Sequence, residues 1–170
     1  MPLQHERLKK LDARLRVQHS LVRKSVDPDG NCQFRAIAHQ LYSNQKRHGE
    51  IRAAAVKHIK NNSSEYIPFF DGDPQKLKEY VMEMKNDRVW GDEVTLRAAA
   101  HAYRITVRVI TPDFDRVYEP QPDWVFGTQQ PRKELRIALA NEHYDSTIAP
   151  GAFAGASASN NETGDAGGCV

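Results

Sequence analysis

Cys32 stands at a position where chemistry is possible. It follows the turn-forming run Pro28-Asp29-Gly30-Asn31 and opens an apolar pattern, Phe34, Ile37, Ala38 and Leu41, at i, i+3, i+4 and i+7. That spacing predicts a buried helix starting at about Cys32. A helix N-terminus presents unpaired N–H groups and roughly half a positive charge, so a thiol there is expected to ionise readily and act as a nucleophile. Gly30 gives the preceding turn access to unusual dihedrals. The backbone amides of Asp29, Gly30, Asn31 and Cys32 are therefore candidates to converge on a developing oxyanion.

A thiolate needs a base or an imidazolium partner, and seven histidines compete for that role: His5, His19, His39, His48, His58, His101 and His143. Three of them, His39, His58 and His101, fall inside predicted helices. His5 and His19 lie in a basic leader, and His48 sits at a helix start. His143 follows a predicted strand ending at Ala140, where side chains project from a rigid edge, and Asp145 lies two residues on. An acidic group near a catalytic imidazole fixes its tautomer and stabilises the cation, which makes Asp145 the candidate orienting residue. The plainer alternative is that Cys32 is a small buried hydrophobe and His143 a surface residue.

The elements that must position these residues are read from periodicity. Leu8, Leu11 and Leu15 recur at helical spacing among Arg and Lys, giving an amphipathic N-terminal helix. Further helices are expected over 49–60 through Ile51, Ala55 and Ile59, from Asp73-Pro74 with Leu77, Val81 and Met84 inside, and from an Asp92 N-cap through Leu96, Ala99 and Tyr103. The character changes at Ile105-Thr106-Val107-Arg108-Val109, an alternating β-branched strand closed by Thr111-Pro112. Short strands are expected at 116–119 and 135–139, with a loop over 120–131 and a disordered Ala, Gly, Ser and Asn tail from 151. Helices followed by strands give an α+β domain with a small sheet.

Composition bounds the rest. With 170 residues, 39% of them hydrophobic, the chain can form one domain with a real core. The expected organisation is a basic amphipathic helix over 1–21, a catalytic domain over 22–150 and a tail over 151–170. A formal charge of +2, from 24 basic and 22 acidic residues, demands neither nucleic acid nor an anionic membrane. Arg7, Lys9, Lys10, Arg14, Arg16, Arg23 and Lys24 cluster in the leader, but a solvated helix face is the simpler reading than an RNA site. The charged opening lacks the apolar run of a signal peptide or membrane span. Cys32 and Cys169 do not suggest a disulfide framework, so a soluble protein of a reducing compartment is expected, in the cytoplasm or also the nucleus. No Cys and His pair has zinc-site spacing, and neither a metal nor a cofactor is expected.

Three ordered stretches carry a family resemblance: DGNCQFRAIAHQLY at 29–42, WGDEVTLRAAAHAYRITVRVI at 90–110 and EHYDS at 142–146. Together they look like the OTU (ovarian tumour) deubiquitinase family, over about residues 22 to 150. The resemblance implies a papain-like cysteine-protease fold with a small, mainly antiparallel sheet packed between helices. It implies Cys32 as nucleophile, His143 as base, Asp145 as the residue orienting His143 and Asp29 as the acidic residue of the DGNC motif, holding the turn or shaping the oxyanion hole. The family often has Asn where this chain has Asp145. Trp90, Gly91 and Asp92 match family positions with a scaffold role. The implied substrate is ubiquitin or polyubiquitin in isopeptide linkage to lysine on ubiquitinated proteins, handled by a monomer; a catalytically silent ubiquitin-binding module is the alternative. Tyr66, Phe69 and Phe70, and Trp124 and Phe126, are candidate docking aromatics for the bulk of ubiquitin, or core anchors.

Overall fold

The computed structural model describes residues 2–121 and 133–152. The elements run α1 (Pro2–His19), β1 (Val22–Lys24), α2 (Cys32–Tyr42), α3 (His48–Asn61), α4 (Ser63–Tyr66), α5 (Pro74–Met84), α6 (Glu93–Tyr103), β2 (Thr106–Ile110), β3 (Asp115–Tyr118), β4 (Glu134–Ala140) and β5 (His143–Ile148). Single 3-10 turns cover Gln45–Arg47 and Ile67–Phe70.

Local chemistry sets several boundaries. Asp73 caps α5 by accepting from the Gln75 amide at 2.8 Å, with Pro74 in the first turn. Asp92 and Thr95 form a reciprocal capping box at the start of α6: the Thr95 amide donates to Asp92 Oδ1 at 3.1 Å and the Asp92 amide donates to Thr95 Oγ1 at 2.8 Å. Tyr80 of α5 donates its hydroxyl to the same Asp92 carboxylate at 2.8 Å, tying two helices to one cap.

The sheet order is β1-β5-β4-β2-β3. Among the described residues only the β2–β4 pair is parallel; β1–β5, β5–β4 and β2–β3 are antiparallel. The expected α+β domain with a small, mainly antiparallel sheet between helices is the architecture found. Val107 and Val109 of β2 and Leu135 and Ile137 of β4 face a core built with Phe34 and Ile37 of α2, Ile51, Ala55 and Ile59 of α3, and Leu96, Ala99 and Ala100 of α6. The opposite face, Ile110, Ala138 and Ala140, is covered by Leu11 and Leu15 of α1. The N-terminal helix therefore closes the second layer of the sheet.

Two strands are absent from the sequence reading. β1 is three residues long, and β5 reads His-Tyr-Asp-Ser-Thr-Ile, with Asp145, Ser146 and Thr147 buried. A strand that buries polar groups shows no apolar alternation. Ser146 and Thr147 are satisfied from α2 and β4: Ser146 Oγ meets His39 Nδ1 at 2.7 Å and Gln40 Nε2 at 3.0 Å, and Thr147 Oγ1 donates to the Arg136 carbonyl. The leader's cations are largely used internally. Arg7 and Lys10 pair with Asp113, Arg14 with Asp115, and Arg23 with Asp12 and Asp145.

Candidate active site

Cys32 is the first residue of α2, as its motif predicts, with Asn31 as N-cap. The turn before it is held by a polar network. Asp29 accepts from the Asn31 amide and the Asn31 side-chain amide, both at 3.1 Å, and takes a two-point contact from the Arg35 guanidinium one turn into α2. The Arg35 hydrogen bonds, foremost, hold the Asp29 carboxyl well below the usual carboxylate range. Asn31 is buried, and its Oδ1 accepts from Arg52 of α3 at 2.6 Å and from the Arg88 amide at 3.2 Å. Arg52 also donates to the Met84 and Val89 carbonyls. Gly30 has φ +82°, and a Cβ there would lie 2.2 Å from the Arg88 carbonyl oxygen. Glycine is required both by conformation and by this close approach.

The sequence expectation for the thiol needs correcting. Half-burial pushes the Cys32 thiol above its ordinary value, and the neighbouring Asp145 charge adds to this. The Tyr144, Gln33 and Cys32 amides act in the opposite direction without overcoming desolvation. A helix N-terminus alone does not make this cysteine a resting thiolate. Of the four amides considered for an oxyanion, that of Asn31 already donates to Asp29, which leaves those of Asp29, Gly30 and Cys32 as candidates.

His143 opens β5, directly across from Ala140. Its Nε2 lies 3.2 Å from Asp145 Oδ1, two residues along on the same face of the strand. With the proton on Nε2 directed at the carboxylate, the lone pair falls on Nδ1. The amide of the next residue, Tyr144, donates to the Cys32 sulfur, which brings the start of β5 against the start of α2. Asp145 is almost completely buried, its side chain 6% exposed, and it also accepts from the Val26 amide at 3.3 Å and from Arg23 at 2.9 Å. Arg23 in turn makes a two-point contact with Asp12 of α1, at 2.5 and 3.0 Å. The acidic group on the imidazole is thus Asp145, while Asp29 is committed to the turn.

Sequence reasoning missed Asp12, Arg52, Gln33 and Tyr144, and it placed Arg23 only in the basic run. Gln33 is buried behind Cys32, donates to the Asp92 carbonyl at 3.0 Å, accepts from Thr95 at 2.7 Å and hydrogen-bonds the Tyr144 hydroxyl. A Cβ on Gly91 would fall 2.3 Å from Gln33 Oε1, so Gly91 and Asp92 are scaffold as expected. Trp90 is 63% exposed. Tyr66 is a core residue, Phe70 packs on the core, and Phe69 is exposed. Trp124 and Phe126 lie outside the described residues.

Comparison with known proteins points one way. Ovarian tumor domain-containing deubiquitinating enzyme 11 of Arabidopsis thaliana is 34% identical over 138 residues, covering 80% of this chain and 54% of that relative. The chain spans between 25% and 62% of the length of this and three other Arabidopsis deubiquitinating enzymes that it matches. Among solved structures, the OTUD1 OTU domain superposes with a TM-score of 0.73 at 22% identity, over 86% of this chain and 97% of that one. An OTU domain in complex with ubiquitin superposes with a TM-score of 0.59 at 19% identity, over 75% of this chain and 69% of that one. At such identities these structures share the fold. The model of the family described as OTU-like cysteine protease matches residues 27–144, from the turn before Cys32 to the residue after His143. The chain belongs to the OTU-like cysteine protease family.

Proposed function

We propose that this domain is a deubiquitinating cysteine protease, cleaving the isopeptide bond after the C-terminal glycine of ubiquitin. The observation that carries the reading is the His143 Nε2–Asp145 Oδ1 contact beside the Tyr144 amide that donates to Cys32. Because burial keeps the resting thiol protonated, His143 Nδ1 takes the Cys32 proton as substrate docks, and Asp145 stabilises the imidazolium so formed. The sulfur attacks the glycine carbonyl, and the Cys32 and Gly30 amides receive the oxyanion. The C–N bond breaks as His143 returns its proton to the leaving lysine amine. Water, deprotonated by His143, then hydrolyses the thioester and restores the thiol.

The choice of ubiquitin rests on the relative named as a deubiquitinating enzyme and on the ubiquitin complex of a fold neighbour. In this reading Asp29 positions the turn and does not touch the reacting atoms. The protein acts as a monomer on ubiquitinated proteins in a reducing, cytoplasmic setting, where the thiol persists. Exposed Phe69 is a candidate contact for the body of ubiquitin.

The test is reaction with ubiquitin carrying a C-terminal thiol-reactive group, read by intact mass. A covalent adduct is expected with the wild type and none with Cys32→Ala. Folded wild type that binds ubiquitin without forming an adduct would make the domain a non-catalytic ubiquitin-binding module.

A further inference from the structure

Away from the cysteine and its histidine, three helices bring their ends together at His58 in the last turn of α3, Glu65 in α4 and His101 in the last turn of α6. One ligand-capable atom from each lies within 4.8 Å of the others. His101 Nδ1 is 3.7 Å from Glu65 Oε2, and the two imidazole rings are 5.3 Å apart, edge to face. His58 Nε2 and His101 Nδ1 are buried and have no hydrogen-bond partner. Two orphaned ring nitrogens beside a carboxylate require an explanation, because buried polar atoms are normally satisfied.

The outer contacts indicate which electrons face inward. The His101 ring donates to the Glu119 carbonyl, and since Nδ1 is unpartnered the donor is Nε2. Nδ1 therefore carries the lone pair and directs it at the Glu65 carboxylate, an acceptor facing an acceptor. The other oxygen, Glu65 Oε1, accepts from Gln121 at 2.7 Å, which leaves Oε2 for the cluster. His58 Nδ1 stands 3.4 Å from the Asn62 side-chain amide, too long to fix its tautomer. Burial, foremost, lowers the proton affinity of both imidazoles.

We propose that His58, Glu65 and His101 form a site for a divalent transition cation, with zinc as the ion best matched to two imidazoles and a carboxylate. A tetrahedral zinc with bonds of about 2.0–2.1 Å sets its ligand atoms roughly 3.4 Å apart, close to the His101–Glu65 separation. The other edges, none longer than 4.8 Å, close by up to roughly 1.4 Å through side-chain rotation. Water takes the fourth position. The His101–Glu119 and Glu65–Gln121 hydrogen bonds are the outer contacts that orient such ligands, and they tie the site to the chain leaving β3. The ion would staple α3, α4 and α6 together. Sequence spacing conceals the site, because His101 lies 36 residues beyond Glu65 and the His58–Glu65 interval of seven is not a short ligand pair.

The test uses the full chain with Cys32→Ala and Cys169→Ser, which removes competing thiols. Zinc is titrated by calorimetry with thermal unfolding in parallel, and Co2+ is used as a visible-absorption probe of tetrahedral nitrogen and oxygen ligation. About one equivalent of zinc and a raised Tm are expected in this parent, both lost in Glu65→Gln and in His58→Gln. Glu65 is partly exposed, so Glu65→Gln remains folded and decides the matter if His58→Gln does not. No stoichiometric binding by the parent, or equal binding by parent and Glu65→Gln, overturns the assignment.

Discussion

The two halves of the active site are held in opposite ways. The nucleophile's turn is fixed in parallel: Asp29 by Arg35, Asn31 by Arg52 and the Arg88 amide, and Gly30 by contact with the Arg88 carbonyl. These contacts come from α2, α3 and the segment after α5, all part of the main core layer. The imidazole's side-chain support runs in series, from Asp12 to Arg23 to Asp145 to His143, with the Val26 amide as a second donor to Asp145. It begins in the helix on the opposite face of the sheet, and Asp12 and Arg23 are partly exposed. A parallel network tolerates the loss of one contact with little movement, whereas in a series every link acts on the last group. The nucleophile is thus set by the core and the base by the periphery.

Substitutions along each half break or sharpen this contrast. Cys32→Ala is expected to abolish both adduct formation and turnover. His143→Ala should lower kcat/KM about a thousandfold or more, read with a ubiquitin-based fluorogenic substrate. Arg52→Ala removes a buried guanidinium, takes a donor from the Met84 and Val89 carbonyls and leaves Asn31 Oδ1 with the Arg88 amide. It should cost about 3 kcal/mol of stability by denaturant unfolding while leaving turnover of the folded fraction largely intact. Arg23→Ala should act chiefly on turnover, with kcat of the folded fraction falling roughly ten- to a hundredfold and KM little changed, alongside a loss of stability because the buried Asp145 carboxylate loses its cation. Comparable kcat losses in Arg52→Ala and Arg23→Ala at matched folded fractions would erase the distinction between the two supports.

The smallest effect is a pH dependence. The Asp29 carboxyl is held below its unfolded value by Arg35, so it contributes stability that is fully present above the unfolded pKa. That contribution is lost as pH falls below about 4 and the folded-state pKa is approached. The stability difference between wild type and Asp29→Asn should be constant near neutrality and shrink in acid. A difference that does not change down to pH 3 would mean that the Arg35 contact does not favour the ionised form in solution.

The sequence made the apolar elements legible. Helices α2, α3, α5 and α6 and strands β2 and β4 carry either a 3.6-residue stripe or a strict alternation, and Asp73 and Asp92 mark two starts. β1 and β5 were hidden because one is too short for a pattern and the other buries Asp, Ser and Thr. Of the site, Cys32, His143 and Asp145 could be named from position and from family resemblance. The protonation tendency of Cys32 could not, since desolvation depends on what packs against the helix start. Nor could Asp12 or Arg23, whose bonds to Asp145 arise only once α1 has folded back across the sheet.

The placement of Asp12 and Arg23 has a practical side. Both lie upstream of residue 27, where the family match begins, and Asp145 lies just past residue 144, where it stops. A recombinant fragment trimmed to the matched span would keep Cys32 and His143 and drop every member of the series behind the imidazole. Low turnover from such a fragment would report where the expression boundary was drawn, and it would be mistaken for a sluggish enzyme.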